Sequence, residues 1–291
     1  MLKKFILKKE IKRSVIILFI AVIINFQLFY LANSWFLSFV SIQDFNSDSI
    51  NNMQIDTSCE SVIEYAGNIE VPPGEFVTTL MLINNCKISE TDFNILDKTR
   101  FILLRNKIVR MYPKQFFFYS NIYNSILNDL KYFPIPHSAK ETPWINYVNS
   151  WKNERTYGGE RTHEGTDIMA GKNVPGIYPV LSVSDGTVTH MGWLELGGYR
   201  IGITSENGIY YYYAHLSSYA ADIKEGDKVT AGQFLGFMGN TGYSKVEGTS
   251  GKFDVHLHFG IYINDIEGNE TAVNSYFFLK NLEDKVLYYS Y

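Results

Sequence analysis

The chain has 291 residues, enough for more than one packed domain. Its formal net charge is −4, and a mildly acidic body has the wrong sign for nucleic-acid binding, which drops out of the candidate functions. The charge is uneven: Lys3, Lys4, Lys8, Lys9, Lys12 and Arg13 stand against Glu10 alone in residues 1–13, a net of +5 that leaves about −9 for the remainder. After this basic arm no charge occurs from Val15 to Val40, a stretch long enough to span a bilayer. The flanking lysines predict a cytoplasmic N-terminus and an extracytoplasmic C-terminal part, so residues 14–40 read as a single-pass signal-anchor in the cell membrane. A cleaved signal peptide is the rival, but "ANS" at 32–34 is a poor cleavage site. The apolar run also continues past it through Trp35, Phe36, Leu37 and Phe39, which favours an uncleaved anchor. Cys59 and Cys86 both fall in the exported part; a disulfide is allowed, and so are two free thiols.

Residues 41–55 are polar and read as a linker. A helical pattern follows over 56–133. "PPGEF" at 72–76 places prolines where a helix start tolerates them, and "SETD" at 89–92 resembles a capping box. Phe93, Leu96, Phe101, Leu104, Ile108 and Met111 then recur as one helix face, and Pro113 ends that helix and opens another. This small all-α domain carries no recognisable chemistry and reads as a spacer or as a docking module for a membrane or wall-machinery protein. Residues 134–149 hold several prolines and read as a second linker, with His137 solvent-exposed in it.

From 150 to 291 the texture is short β-like runs broken by Gly, Asn and Asp, predicting a mainly antiparallel sheet domain. In "DVHLHFG" (254–260) strand alternation puts His256 and His258 on one face and Val255, Leu257 and Phe259 on the other. "HEGTD" adds His163 and Asp167 at a spacing of four, and "YYYYAHLSS" adds His215 at a strand end. By the same alternation Tyr211 and Tyr213 share a face with His215 and are candidate groove residues. His190 in "GTVTHMGW" is read as structural, and Glu160 and Glu164 as solvated charges. Zinc takes imidazole nitrogen and carboxylate oxygen in a tetrahedral site. Three ligands drawn from these five residues leave two histidines beside the metal for proton transfer and oxyanion stabilisation.

Over about 155–265 these residues resemble the lysostaphin/LytM-type zinc metallopeptidases of bacterial peptidoglycan. The likeness rests on "HEGTD" for H-x-G-x-D, "HLHF" for H-x-H-F, "YAHLS", and "IKEGDKVTAGQFLGFMGNTG" between them. It implies a catalytic β domain of the duplicated hybrid motif type with one zinc held by His163, Asp167 and His258. It further implies His256 and His215 as the unliganded catalytic pair and Tyr157 as an oxyanion residue. Two departures bear on specificity. "YSKVEGTSGKFDV" is longer than the family's turn, with no proline before His256, and Gly260 stands where Glu is common.

The implied function is a membrane-anchored zinc metalloendopeptidase that hydrolyses stem or cross-link peptides in wall remodelling. The alternative is a non-catalytic LytM-like module that recruits a wall hydrolase or sporulation partner; such members often lose ligands, whereas all five residues are present here. Phosphotransferase carrier domains lack the H-x-G-x-D pair, and a biotinyl-type hairpin needs a lysine where Phe237-Met238-Gly239-Asn240 offers none. The bond cleaved and the oligomeric state are not legible in the sequence.

Overall fold

The computed structural model describes residues 2–93, 96–140, 143–156 and 159–291, with side chains from Glu10 onward; Tyr157, expected at the oxyanion, lies outside the described residues. Helix α1 (Leu2–Phe39) carries apolar residues on every face, and Phe19, Leu28 and Trp35 all project away from the protein. Its segment Glu10–Phe39 is long and apolar enough to cross a membrane. At its C-terminal end the Lys107 Nζ donates to the Leu37 carbonyl at 3.2 Å and to that of Val40 at 3.5 Å. A cation is favoured there by the helix dipole.

Helices at Cys59–Asn68, Pro73–Ile83, Lys98–Met111 and Pro113–Asp129 form the helical region. Pro73–Ile83 is the central one, with Phe76, Val77, Leu80 and Leu82 all fully buried. Pro73 and Pro113 both sit in the first turn of a helix, where the missing N–H costs nothing. The start of the third helix differs from expectation. Asp97, not "SETD", caps it by accepting from the Arg100 N–H at 2.9 Å, while Asp92 closes a separate short turn onto Ser89. The expected apolar face is buried from Phe93 to Ile108, but Met111 is exposed.

Residues 41–55 do more than link. Ser47–Asn51 is helical, Gln54–Asp56 pairs in parallel with Lys87–Ser89, and Ile50, Met53 and Ile55 are at most 1% exposed. Three apolar residues among Asn, Ser and Asp leave no periodic trace in sequence, yet suffice to dock the segment. His137 is likewise half-buried rather than free: its ring lies 4.1 Å from that of Trp144, and His137–Ser138 pairs with Tyr288–Tyr289. Cys59 and Cys86 are free thiols.

The β region is an antiparallel sheet whose working strands are β1 (Thr166–Met169), β2 (Gly186–Leu194), β3 (Gly198–Thr204), β4 (Tyr210–Tyr219), β5 (His256–Asn264) and β6 (Glu270–Val273). Across it the order is β2-β3-β4-β5-β1, with β6 also on β5. The core face takes Val255, which immediately precedes β5, and Leu257, Phe259 and Ile261 of β5, none above 2% exposed. Burying such side chains is worth about 1.5–3 kcal/mol each, so a one-residue register slip, which would expose all four, is strongly opposed. The helical region packs on the sheet through polar seams. Buried Asp129 accepts from the Tyr211 hydroxyl at 3.2 Å and from Asn207 Nδ2 at 2.7 Å.

The tyrosine run is phased opposite to expectation relative to His215. Tyr211 and Tyr213 are fully buried in the core, and Tyr210 and Tyr212 face the other side. The cause is a β-bulge: the β3–β4 register shifts between Tyr199 and Ile201, and His215 takes the left-handed conformation with φ 61°. One extra residue resets the alternation, so Ala214 and His215 both reach the cleft side.

Candidate metal centre and catalytic pair

The centre forms where β1 and β5 pair, because Asp167 lies directly opposite His258. His163 enters from the preceding loop, where its own backbone is fixed by Lys152 N–H on its carbonyl at 2.9 Å and by its N–H on Asn153 O at 2.8 Å. Its Nδ1 lies 2.9 Å from Ser150 Oγ and 3.2 Å from the Ser150 carbonyl oxygen. A carbonyl only accepts, so Nδ1 carries the proton and Nε2 presents a lone pair.

That Nε2 stands 2.9 Å from Asp167 Oδ1 and 3.0 Å from His258 Nδ1, which is itself 3.0 Å from Asp167 Oδ1. Three electron-rich atoms thus make a near-equilateral triangle in a site where His163 is only 3% exposed. Lone pairs turned on one another repel unless a cation joins them. Tetrahedral zinc at 2.0–2.2 Å from each ligand needs edges of roughly 3.3–3.6 Å, so the triangle opens by a few tenths of an ångström to take one. His163, Asp167 and His258 form the metal-competent cluster among the described residues. Burial would push the Asp167 carboxyl up, but wherever the His163 or His258 imidazole carries a proton toward it, in place of a metal, that hydrogen bond outweighs burial and holds the group well below the usual carboxylate range. Burial likewise pushes the His163 imidazole down, in the direction of the neutral ligand form.

The other two histidines stand beside this triangle. His256 Nδ1 donates to the Asp254 carbonyl at 2.8 Å, which turns its Nε2 to within 3.9 Å of Asp167 Oδ1. His215 Nδ1 donates to the Thr241 carbonyl at 2.7 Å. The two rings are 4.7 Å apart, and each offers an unprotonated Nε2. Burial, then the neighbouring imidazoles, push His215 down to about 3; burial also lowers His256. The long segment before His256 supplies the cover: the Phe253 ring lies 5.0 Å from His215 and 5.2 Å from His256.

Sequence reasoning missed Arg155. Its Nη2 donates to Asp167 Oδ2 at 2.6 Å, which leaves Oδ1 as the single oxygen turned to the triangle. A visible signal existed: "ERT" occurs at 154–156 and again at 160–162, and Arg155 pairs with Arg161 across the resulting two-stranded ribbon. Arg155→Ala is expected to weaken zinc binding about 10–100-fold, the usual cost of removing a group that orients a metal ligand. Competition with a chromogenic chelator measures it, and unchanged affinity would deny Arg155 that role.

All five residues lie in one cleft of about 620 Å³. Its floor is aromatic: Tyr210, Tyr212 and Tyr262 form a triangle with ring centroids 6.0–6.3 Å apart, and the Tyr212 ring is 5.9 Å from His258. Gly260 has a steric reason to be glycine, since a Cβ there would come within 2.6 Å of Tyr262 Cε2. His190, read as structural, also lines this cleft, its ring 5.6 Å from Tyr210. Glu160 is exposed, whereas Glu164, read as a solvated charge, is half-buried, lines the cleft and pairs with Lys152 at 3.3 Å.

The model of peptidase family M23 matches residues 161–274. A Bacillus subtilis (strain 168) L-Ala–D-Glu endopeptidase is 43% identical over 130 residues, covering 45% of this chain and 37% of its own length. Lysostaphin of Staphylococcus simulans is 33% identical over 153 residues, 50% of this chain and 27% of its own. The chain therefore spans well under half of these relatives. A crystal structure from Ruminococcus gnavus ATCC 29149, provisionally assigned as the glycyl-glycine endopeptidase lytM, aligns over 83% of this chain and 93% of its own with 41% identity and a TM-score of 0.64.

Proposed function

Because the chain belongs to peptidase family M23, a LytM-type family of peptidoglycan endopeptidases, we propose that it is a membrane-anchored zinc metalloendopeptidase acting on wall peptides outside the cell membrane. The observation that carries this is the triangle of His163 Nε2, Asp167 Oδ1 and His258 Nδ1 with two more unprotonated imidazoles beside it. When bound there, zinc supplies Lewis acidity, polarising a peptide carbonyl and bringing the pKa of a coordinated water toward about 7.

The chain's own groups do the rest. His256 is the general base: its Nε2 takes the proton of the attacking water and returns it to the leaving amine. His215 Nε2 is an acceptor at rest, because its only proton is committed to Thr241 O. It donates to a developing oxyanion only once the pair has taken up a proton. The two ring centroids are 4.7 Å apart, close enough for the proton accepted by His256 to be shared with His215. The Phe253 and Tyr243 rings pack beside His215, with centroids 5.0 and 5.8 Å away.

Relatives are named for different bonds, L-Ala–D-Glu in one and glycyl-glycine in others, so likeness alone leaves the bond open. The test is release of new amino groups from purified peptidoglycan by the full chain in detergent. Activity is expected with zinc, none after chelation, and recovery on adding zinc back. Zinc-loaded protein that releases nothing from several wall types would overturn the enzyme reading in favour of the recruiting module. Helix α1 as an uncleaved anchor is tested separately: the chain is expected in the membrane fraction at full length, resistant to salt extraction.

A further inference from the structure

The cleft extends beyond the metal triangle, and one guanidinium that lines it has an N–H without a partner among the described residues. Asp167, His258 and Ala214 lie side by side on β1, β5 and β4. Arg200 continues that row on β3, opposite the bulge at Ala214 and His215 and paired with Gly192 of β2. Its backbone is two strand spacings from His258, about 10 Å. On the intervening strand the residue opposite His258 is the small Ala214, which also lines the cleft. Arg200 lines the cleft, and its Nη1 is buried without a hydrogen-bond partner among the described residues. Glu270 lines the same cleft but forms no ion pair with it among the described residues.

The surroundings supply further donors. A Cβ on Gly197 would come within 2.2 Å of the Tyr212 hydroxyl, and one on Gly202 within 2.0 Å of the Tyr210 hydroxyl. Gly197 and Gly202 bracket Arg200 in sequence, and their lack of side chains leaves room for two phenolic O–H groups in the cleft that Arg200 lines. A half-exposed guanidinium with one N–H unpaired, sharing with two phenolic hydroxyls a cleft that peptide must enter, suits a carboxylate.

Resting on the endopeptidase reading above, we propose that Arg200, with Tyr210 and Tyr212, forms a carboxylate subsite, so that the preferred substrate bears a free carboxylate on a residue flanking the scissile bond. That selects acidic stem peptides over neutral glycine bridges. An uncharged peptide entering this cleft covers the half-exposed guanidinium without offering it a counter-charge, a cost borne only by the wrong substrate.

The test uses the zinc-loaded full chain in detergent carrying His256→Ala, so that peptide is held without being cleaved. Two probes are titrated calorimetrically: an L-Ala–γ-D-Glu–L-Lys tripeptide with its D-Glu α-carboxylate free, and the same peptide as the α-carboxamide. The acid is expected to bind about ten- to hundredfold more tightly, the range a charge-assisted hydrogen bond supplies. Adding Arg200→Gln is expected to erase the gap by weakening the acid alone, while Arg200→Lys, which keeps the charge without the fork, retains part of it. Zinc content and thermal melting check that each variant is folded. Equal affinities, absent binding of both probes included, or a gap that survives Arg200→Gln, overturn the subsite. Wall hydrolysis with equal affinities leaves the endopeptidase standing without the subsite; a gap without hydrolysis does the reverse.

Discussion

Replacing His163 with alanine is expected to strip the protein of zinc and to reduce peptidoglycan hydrolysis to the level of the buffer blank. The argument is one of magnitudes. Loss of a group that merely orients a ligand costs about 10–100-fold in metal affinity, so loss of the ligand itself costs more. Of the three residues proposed as ligands, His163 has the most preparation behind it. Its ring is 3% exposed, its tautomer is set by the Ser150 carbonyl, and its backbone is tied on both sides to Lys152 and Asn153. The imidazole beside the triangle, His256, has its Nε2 3.9 Å from Asp167 Oδ1 and its ring held by the Asp254 carbonyl. Asp167→Asn should do the same for a different reason: it removes the one anion facing two imidazoles and leaves Arg155 without its partner. The fold should survive in both, since the core strip Val255, Leu257 and Phe259 is untouched. Elemental analysis of purified protein reads the zinc. Thermal melting reads a second consequence: at zinc 100-fold above its dissociation constant the wild type gains about 2.7 kcal/mol, and His163→Ala gains nothing. A variant that kept stoichiometric zinc would remove His163 from the ligand set.

The elements that were legible in sequence are those where one local rule decides the outcome. Period-two alternation placed His256 and His258 opposite Val255, Leu257 and Phe259, and the structure keeps that division. Prolines marked two helix starts because a missing N–H is harmless only there. Alternation failed at His215 because a single left-handed residue inverts the phase of everything before it, and nothing in "YYYYAHLSS" announces a bulge. Arg155 and Arg200 escaped notice for another reason. Each owes its place to pairing between strands distant in sequence, and an arginine on a strand otherwise reads as a solvated charge. The docked segment 47–56 shows the same limit in the helical region, since three buried side chains without periodicity leave no pattern to detect.

His256→Ala should separate chemistry from metal binding. The base in a proton transfer of this kind contributes about 10²–10⁴-fold, and His256 touches the triangle only through its Nε2, so kcat should fall by that factor while zinc stays bound. His215→Ala should lower kcat by less if its work is confined to stabilising the oxyanion, and should likewise spare the zinc. The pH dependence supplies a sharper test. Burial lowers the His256 pKa from 6.5. A base with a lowered pKa is fully in its active form above 6.5 and is lost only as pH falls through the lower, folded value. The acid limb of kcat/KM in the wild type should therefore lie below pH 6.5. His215, pushed down to about 3, stays neutral across that limb, so the limb should follow His256. It should vanish in His256→Ala, whose residual rate is too small to depend on a base that is gone, and persist in His215→Ala. An acid limb centred above pH 6.5, or one unchanged by His256→Ala, would mean that another group accepts the proton. Loss of zinc from His256→Ala would mean that this imidazole belongs among the ligands, and that the triangle is missing a corner.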